Sequence, residues 1–426
     1  MGTALQVGQL APKLAEPASR PHILLIHQAF TGPDEAGGTR HYELLEKLCV
    51  QDFRATVITG ATNYFSGSAR APLSSGWQLQ IVIAEARADF HKSYTRRLVA
   101  FVRFAVASFV AGLRLREVDL VLATSPPIFQ AISSWLIAAI RRKPLVLEIR
   151  DLWPKFAEAL GVLRNPLVIY AAERVERFLY RRADLILINS PGFRDHVIAL
   201  GADPKRIAVI ANGADPDSFD PKASGDEFRS EHGLTGKFVV MYAGATGPAN
   251  DLECLLHAAD RVRSEKHIAF VVVGAGKALA KLKREAKRLR LHNVRLVTPQ
   301  PKSRMREVLA AANVCVATLK NAPALHATYP NKVFDYMAAG RPVVLAIKGP
   351  IREVLEKARC GIPVPPGDDA ALAKAILLLR NSRELRLKMG KAGRQYMERH
   401  FNRKQQAAEL AEHLHALTTH AAGARR

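Results

Sequence analysis

The sequence of 426 residues predicts an α/β fold with two domains, each built on a doubly wound parallel sheet. The chain is longer than one ordinary domain, so we expect two. In the first half, short apolar strands alternate with helix-patterned segments, which is typical of parallel sheets. From Lys237 onward a strand, a glycine turn and a helix begin again, so the second half repeats the plan of the first.

The composition is that of a globular protein, with 48% hydrophobic and 24% charged residues. Four cysteines are scattered without a CxxC pair, which indicates a reducing compartment and argues against a structural metal site. The net charge of +23 favours polyanionic partners such as nucleic acid, anionic lipid or phosphorylated substrates. Residues 1–20 lack the pattern of a signal peptide, and we expect them to form a mobile tail.

The first domain begins with the strand His22–Ile26, which leads to Gly37-Gly38 and then to a helix over Arg40–Val50. A glycine pair between a strand and a helix lets backbone N–H groups approach a phosphate or a sugar. An ordinary flexible turn is the alternative. Further strands are predicted by apolar runs that end at turn residues, over Arg54–Thr59, Trp77–Ala84, Asp119–Thr124, Leu145–Ile149, Asp184–Asn189 and Ile207–Ile210.

The segment Lys92–Arg116 is strongly apolar, with basic residues at both ends. It is too short to span a membrane and is interrupted by Arg103. We expect a helix that lies in an anionic membrane interface, with Phe101, Phe104 and Phe109 toward the lipid. A helix packed on the sheet is the alternative interpretation.

The strand Leu145–Ile149 delivers Asp151 and Trp153 to its carboxyl end, where open α/β sheets bind their ligands. Asp151 is therefore a candidate for a polar group at the reaction centre, although it could instead cap the helix near Pro154. Asn-Gly and Asp-Pro steps follow at 212–216, and we expect the first domain to cover residues 21–215.

The stretch Tyr329–Val344 carries the clearest ligand-binding pattern. Pro330 and Gly340 bound a short helix, with Asn331, Lys332 and Asp335 on its polar side. A lysine in the first turn of a helix makes an anion site, and a carboxylate one turn on can accept from a ribose hydroxyl. A surface Lys–Asp pair on an amphipathic helix is the alternative. Gly274-Ala275-Gly276, after the strand Ile268–Val273, lacks the rest of a dinucleotide fingerprint.

Several motifs in order resemble a known family. They are Gly-Gly-Thr-Arg-His-Tyr-Glu-Leu (37–44), Arg-Asp-Leu-Trp-Pro (150–154), Asn-Gly-Ala-Asp (212–215), Tyr-Ala-Gly-Ala-Thr-Gly (242–247), Pro-Asn-Lys-Val-Phe-Asp-Tyr-Met-Ala-Ala-Gly-Arg-Pro-Val-Val (330–344) and Cys-Gly-Ile-Pro-Val-Pro-Pro-Gly-Asp (360–368). From residue 22 to 415 the chain resembles a GT-B-fold glycosyltransferase of the large retaining family four. Within that family it is most similar to the WbuB-like transferases of bacterial surface-polysaccharide synthesis.

The resemblance implies two Rossmann-like domains that face each other across a cleft, with the nucleotide sugar held mainly by residues 216–395. Residues 396–426 would form a returning helix, Arg403–Leu417, and a tail. Metal is not expected, because basic side chains and helix N-termini neutralise the leaving diphosphate. The donor would be bound by Gly37, Gly38, Thr246, Gly247, Asn250, Gly274, Asn331, Lys332 and Asp335. Asp151 and Lys332 would serve catalysis, and Arg40, Asp151 and Trp153 would face the acceptor.

The sequence departs from the family pattern at two places. Many members carry two glutamates with seven residues between them, whereas this chain has Ala327 and Asp335. Many also carry an Arg and a Lys after the glycine turn of the second domain, where this chain offers Thr246 and Asn250. These departures shift the neutralisation of the diphosphate to Lys332, with Arg40 as a second candidate.

We therefore expect a glycosyltransferase that moves a sugar with retention from a nucleotide sugar, of the UDP-N-acetyl type, to a lipid-linked or saccharide acceptor. It would work in the cytoplasm, peripherally bound to the inner face of the membrane. A UDP-sugar epimerase on the same fold is the enzymatic alternative. A basic nucleic-acid-binding protein is a weaker one, because no reader motif is present and no specific nucleic-acid partner is expected.

Overall fold

The computed structural model describes residues 20–63, 66–70, 78–85 and 94–423. The predicted tail at 1–20, except for its last residue, lies outside these residues, as do Trp77 and Lys92. The first sheet has seven parallel strands in the order β3-β2-β1-β4-β5-β6-β7. The strands are β1 (His22–Ile26), β2 (Arg54–Gly60), β3 (Leu79–Glu85), β4 (Leu120–Ser125), β5 (Leu145–Ile149), β6 (Leu185–Ile188) and β7 (Ile207–Val209).

Helices cover both faces of this sheet, which is why its central strands β1, β4, β5 and β6 are buried at every position rather than alternating. They are α1 (Arg40–Val50), α2 (Tyr94–Arg114), α3 (Ile128–Arg141), α4 (Lys155–Ala159), α5 (Pro166–Arg182) and α6 (Arg194–Ala199). Side chains of α2, α3, α5 and α6 share one core with one face of the sheet, whereas α1 packs on the other face.

The second sheet has six parallel strands in the order β10-β9-β8-β11-β12-β13. Its strands are β8 (Phe238–Ala243), β9 (Ile268–Val273), β10 (Val294–Val297), β11 (Val314–Thr318), β12 (Val343–Ala346) and β13 (Gly361–Pro363). Its helices are α7 (Asp226–Glu231), α8 (Leu252–Arg261), α9 (Leu279–Arg288), α10 (Met305–Ala310), α11 (Pro323–His326), α12 (Asn331–Ala338), α13 (Pro350–Ala358), α14 (Asp369–Asn381) and α15 (Arg383–His400). The two parallel-sheet domains confirm the predicted fold class.

The last helix, α16 (Arg403–Gly423), returns to the first domain. Its apolar side chains, including Leu410 and Leu414, enter the core formed by α1 and the first sheet. Arg403 begins the helix with no exposed surface, and its Nε donates to Oε2 of Glu43 on α1 at 2.9 Å. A fully buried guanidinium needs such a partner, so this pair fixes where the second domain rejoins the first.

Most predicted elements occur within one or two residues of their expected bounds, and β1, α1, β5 and β9 match them. The helix predicted after Tyr329 is α12, and Gly340 ends it in the left-handed conformation at φ 65°. The amide of Arg341 then donates to the carbonyl of Tyr336 at 3.0 Å, which closes the helix. Val333, Phe334 and Met337 are fully buried, as their spacing predicts.

Candidate active site

Lys332, in the first turn of α12, reaches the glycine turn that follows β8. Its Nζ donates to Oδ1 of Asn250 at 3.0 Å and to the hydroxyl of Tyr242, and it lies 4.0 Å from the centre of the Tyr242 ring. Among the described residues no carboxylate is within ion-pair distance of this ammonium. Burial lowers the pKa of Lys332 to about 7. The site therefore holds a cation that neutral partners position and that no protein anion neutralises.

Glycines make room for this lysine. Gly244, Gly274 and Gly276 have φ between 152° and 154°, a conformation that favours glycine. A Cβ on Gly274 would lie 1.9 Å from the carbonyl oxygen of Gly244, and one on Gly244 would lie 3.1 Å from Cε of Lys332. The turns after β8 and β9 consequently pack directly on each other, with Lys332 against the first of them.

Three polar atoms around this turn and the start of α12 are buried without a hydrogen-bond partner among the described residues. They are Oγ1 of Thr246, Oγ1 of Thr328 and Oδ1 of Asn331. Buried polar atoms in folded proteins nearly always have a partner. A polar ligand seated beside Lys332 would supply one. The structure thus brings together Thr246, Asn250, Asn331 and Lys332 of the predicted donor site, while Gly247 follows in the same turn.

Asp335 lies one helical turn after Lys332 but contacts a different loop. Its Oδ1 accepts from Nζ of Lys302 at 2.7 Å, in the loop that follows β10. Burial raises the pKa of Asp335, and the Lys302 ammonium opposes that rise. Lys302 also lies 5.0 Å from the centre of the Phe219 ring. The carboxylate predicted to bind ribose is therefore held by a lysine that the sequence interpretation did not single out.

The loop carrying Lys302 also joins the two domains. The amide of Ser303 donates to the carbonyl of Pro33 at 2.9 Å, and the amide of Lys302 donates to that of Glu35 at 3.4 Å. Pro33 and Glu35 belong to the loop that leads to Gly37 and Gly38. Burial would raise the pKa of Glu43, yet the charges of Arg403 and Lys302 bring it down to about 2. Lys302 thus lies between a carboxylate of each domain.

The glycine loop of the first domain is anchored next to that contact. Glu35 pairs with Arg70 at 3.0 Å, and both side chains are almost fully buried. Nδ2 of Asn63 donates to the carbonyl of Ala36 at 3.1 Å. A Cβ on Gly38 would meet no atom within 4 Å, so the backbone there borders open space. Gly38 is accordingly exposed, and Gly37 is partly exposed.

Asp151 follows β5 as predicted. Burial raises its pKa to about 6, and the neighbouring guanidinium of Arg150 opposes the rise. Pro154 occupies the cap position of α4, where no side chain caps the helix, so the alternative role of Asp151 as a helix cap is not observed. Trp153 is partly buried against the core of the first domain. Asp151 is therefore a carboxyl group with a raised pKa at the carboxyl edge of the parallel sheet.

Arg40 lies inside the first domain. Its Nε donates to Oε1 of Glu148 at 2.8 Å, while its two terminal nitrogens donate to the carbonyls of Ile210 and Ala211 at 2.6 and 2.7 Å. His41 donates to the same carboxylate. All three nitrogens of Arg40 thus have partners within the first domain, and the structure does not bring it together with Asp151.

Residues that the sequence interpretation missed include Tyr242 and Lys302. Tyr242 is the penultimate residue of β8, and its position at the carboxyl end of a central strand is a signal that the sequence does contain. Lys302 stands in a loop without periodicity, and its pairing with Asp335 depends on how the loop after β10 packs beside α12. No local pattern reveals that contact.

Two family models match the chain. One, described as a glycosyl transferase 4-like domain, matches residues 35–213, and the other, described as glycosyl transferases group 1, matches residues 237–382. One model lies in each of the two parallel-sheet domains described above. Both describe glycosyl transferase domains, so the chain is a glycosyltransferase, and its fold is GT-B.

Individual relatives agree with this class. The chain is 26% identical over 338 residues to the putative colanic acid biosynthesis glycosyl transferase WcaI of Escherichia coli (strain K12), covering 76% of this chain and 82% of WcaI. It is 27% identical over 398 residues to a D-inositol 3-phosphate glycosyltransferase of Streptomyces scabiei, covering 88% and 85%. The Anabaena protein HepE, solved in complex with UDP-glucose, superposes with a TM-score of 0.69 at 18% identity, covering 93% of this chain and 99% of HepE. At that identity the superposition shows the shared fold.

Proposed function

We propose that this glycosyltransferase moves a sugar with retention from a UDP-sugar, of the N-acetyl type, to a lipid-linked or saccharide acceptor in cell-surface polysaccharide synthesis. The observation that carries the donor site is the unneutralised ammonium of Lys332 at the start of α12, surrounded by buried polar atoms without partners. HepE, which has the same fold, is solved with UDP-glucose, and WcaI is named for colanic acid biosynthesis. The WbuB-like motifs agree with this class of acceptor.

The donor diphosphate would lie against Lys332 and the N-terminus of α12, where free N–H groups and the helix dipole favour an anion. Tyr242 and Asn250 hold the ammonium toward the turn after β8. In the transition state negative charge grows on the departing diphosphate, so a cation fixed in advance stabilises it without rearrangement. Lys332 thereby fills the role that a metal ion fills in other transferases, and we propose that no metal is needed.

The ribose would bind Asp335, with Thr246, Gly247 and Gly274 beside the diphosphate and Gly37-Gly38 closing over it from the first domain. Of the two carboxylate oxygens of Asp335, Oδ1 has a hydrogen-bond partner among the described residues, namely Lys302. Oδ2 is therefore available to accept from a ribose hydroxyl. Aspartate is one methylene shorter than the glutamate of the family pattern. The contact with Lys302 therefore matters more, because it fixes the direction of the short side chain.

Asp151 would face the sugar or the acceptor across the cleft, with Trp153 beside it. Retention with departure and attack on the same face of the sugar requires no enzymic nucleophile. The acceptor proton can pass to the departing phosphate oxygen as the new bond forms, so the carboxylate of Asp151 serves to orient and polarise. Arg40 supports this region indirectly, through Glu148 on the strand that delivers Asp151.

We also propose that the protein works at the inner face of the cytoplasmic membrane through α2. No helix within the described residues is both long and apolar enough to cross a bilayer. Phe104 is fully buried in the core of the first domain, so the prediction that it faces the lipid is wrong. We propose instead that the exposed leucine and valine side chains of α2 contact the lipid. Basic residues at both ends of the segment favour contact with anionic headgroups.

A thermal-shift screen with a panel of nucleotide sugars tests the donor proposal, because a ligand that binds the folded state raises the melting temperature. We expect stabilisation by UDP and one UDP-sugar in the wild type and none in Lys332→Met. Equal stabilisation of the variant would refute the placement of the diphosphate. Incubation with the UDP-sugar alone, followed by analysis for an isomerised sugar, separates transfer from epimerisation, which the family models do not favour.

A further inference from the structure

The outer side of the first domain concentrates the exposed apolar residues of the molecule. Of the sixteen large apolar side chains that are exposed within the described residues, eleven lie on α2, α3 and α5. On α2 they form a stripe at helical spacing: Leu98, Val99, Val102, Val106, Val110 and Leu113. A second group lies where α5 begins, with Leu167 exposed at 76% and Tyr170 at 60%. We call this second group, residues 162–170, the α5 tip.

The three helices face the same way because they pack side by side on one face of the sheet. The hydroxyls of Ser108 and Ser133 meet at 3.2 Å between α2 and α3. Trp135 of α3 packs edge-on against Phe178 of α5, with ring centres 4.7 Å apart. The apolar stripe of α2 and the α5 tip therefore belong to one outer surface, with α3 between them.

Positive charge predominates on this surface. The three helices carry nine arginines and only two acidic residues, Glu173 and Glu176. Glu176 is buried and accepts from the Tyr180 hydroxyl, so it contributes little to the outer field. On α5 the guanidinium of Arg174 lies 5.8 Å from the centre of the exposed Tyr170 ring. Exposed aliphatic and aromatic groups next to arginines are the pattern of a surface that enters an anionic interface.

We infer that the α5 tip is a second point of contact with an anionic lipid bilayer, which it meets together with α2. Two separated apolar groups on a basic surface fix the orientation of the protein on the bilayer, whereas one helix would leave it free to roll. The inference deepens the proposed membrane contact, on which it rests, by naming a region that the sequence pattern of α2 does not include. A polyanionic protein could pair with the arginines, but it would leave the two exposed apolar groups in contact with water.

The test measures sedimentation of the purified full-length chain with vesicles. One set contains phosphatidylcholine alone, and the other contains equal parts of phosphatidylglycerol and phosphatidylethanolamine. We expect strong binding to the second set only. The double variant Leu167→Ser/Tyr170→Ser should bind about tenfold more weakly, as expected when two partly buried apolar groups are lost from the interface. The matched control Leu378→Ser/Leu387→Ser removes equally exposed leucines of the second domain and should bind like the wild type.

A labelling experiment reports the position of the tip directly. All four native cysteines are buried, so a dye that reacts with an introduced Leu167→Cys reports on that site. We expect a blue-shifted, brighter emission on anionic vesicles and quenching by brominated lipid, and neither effect with Leu387→Cys. Unchanged emission at Leu167→Cys, or wild-type binding by the double variant, would overturn the inference.

Two further measurements distinguish lipid binding by the α5 tip from dimerisation and from donor binding. If analytical ultracentrifugation showed a dimer that the Leu167→Ser/Tyr170→Ser variant dissociates, the tip would be an interface between two copies, and the lipid assignment would be wrong. The donor proposal is read separately, because Lys332→Met should lose UDP stabilisation yet bind vesicles normally. The double variant should show the reverse.

Discussion

Replacing Lys332 by methionine tests the central claim about the site, because methionine keeps most of the unbranched side chain and removes the charged ammonium with its N–H donors. A charge-assisted hydrogen bond contributes about 1.5–3 kcal/mol, so loss of one bond to the diphosphate should weaken UDP binding about 10- to 150-fold. The transition state carries more charge on the departing diphosphate. Since one preorganised donor is worth about 10²–10³ in kcat, kcat should fall by at least about a hundredfold.

Folding should hardly change in this variant. Lys332 has no carboxylate partner among the described residues, so methionine leaves no buried charge unpaired. Only its hydrogen bonds to Asn250 and Tyr242 are lost, and we expect the free energy of unfolding to change by about 1 kcal/mol or less. Lys357→Met, which removes an exposed lysine from α13, is the matched control. Calorimetric titration with UDP, beside transfer kinetics, gives both quantities. UDP affinity within a factor of about two of the wild type would refute the reasoning.

The pKa of Lys332 provides an independent signature. Its value of about 7 in the folded chain lies below the ordinary 10.5, so the unfolded chain holds more protons between these two pH values. Stability without ligand should therefore rise with pH through that window, and in Lys332→Met this rise should be smaller. A bound diphosphate favours the charged amine, so UDP binding at about pH 8 should take up a proton. Titrations in buffers of different ionisation enthalpy measure that uptake, which the variant should lack.

Three further variants separate the roles of the neighbouring residues. Asp335→Asn should lower donor affinity about tenfold, because the proposed ribose contact is weakened, and calorimetric titration measures this effect. The same variant should lower the free energy of unfolding by about 3 kcal/mol, because it leaves Lys302 buried without its carboxylate, and chemical denaturation measures this effect. Asp151→Asn should remove a fall in kcat that the wild type shows below about pH 6, where the carboxyl group becomes protonated; a pH–rate profile measures it. Arg40→Met should lower the free energy of unfolding by about 3–5 kcal/mol, since Glu148 loses its buried guanidinium, yet leave donor affinity nearly unchanged.

Double variants serve as the controls for these predictions. Lys302→Met combined with Asp335→Leu removes both charges of the pair, so it should recover stability without recovering donor affinity. Recovery of both would show that Asp335 has only a structural role. Arg40→Met combined with Glu148→Leu should likewise recover part of the lost stability. A large loss of donor affinity in Arg40→Met at a temperature where the protein stays folded would place Arg40 in the site after all.

The sequence predicts the fold and the helix that carries Lys332 because both depend on local signals. Apolar runs, proline at the start of α12 and glycine after its end specify elements whatever surrounds them. The sequence does not predict α5, because apolar residues also lie on its exposed side, above all in its first turn. Its exposure becomes informative only when the sheet shows which way the helix faces.

The position of Arg40 could have been read from the sequence more closely. Its spacing places it on the same face of α1 as Leu44 and Leu48, which is the face that packs inward. The family resemblance implied a role facing the acceptor instead. The pairing of Asp335 with Lys302 could not be read, because residues 33 apart in sequence meet only through the tertiary packing of the second domain. Contacts between segments that are distant in sequence carry no periodic signal.

That contact connects donor binding to the alignment of the domains. Lys332 and Asp335 lie on one short helix whose apolar side is fully buried, so neither can move without the other. The loop that holds Asp335 through Lys302 also contacts the loop that leads to Gly37-Gly38, because the Ser303 amide donates to the carbonyl of Pro33. A ribose that binds Oδ2 of Asp335 leaves Oδ1 bonded to Lys302, so the loop keeps its contact with the first domain, while a diphosphate at Lys332 attracts the Gly37-Gly38 amides. Nucleotide binding would thus add a contact made through the donor to the direct contact between the domains.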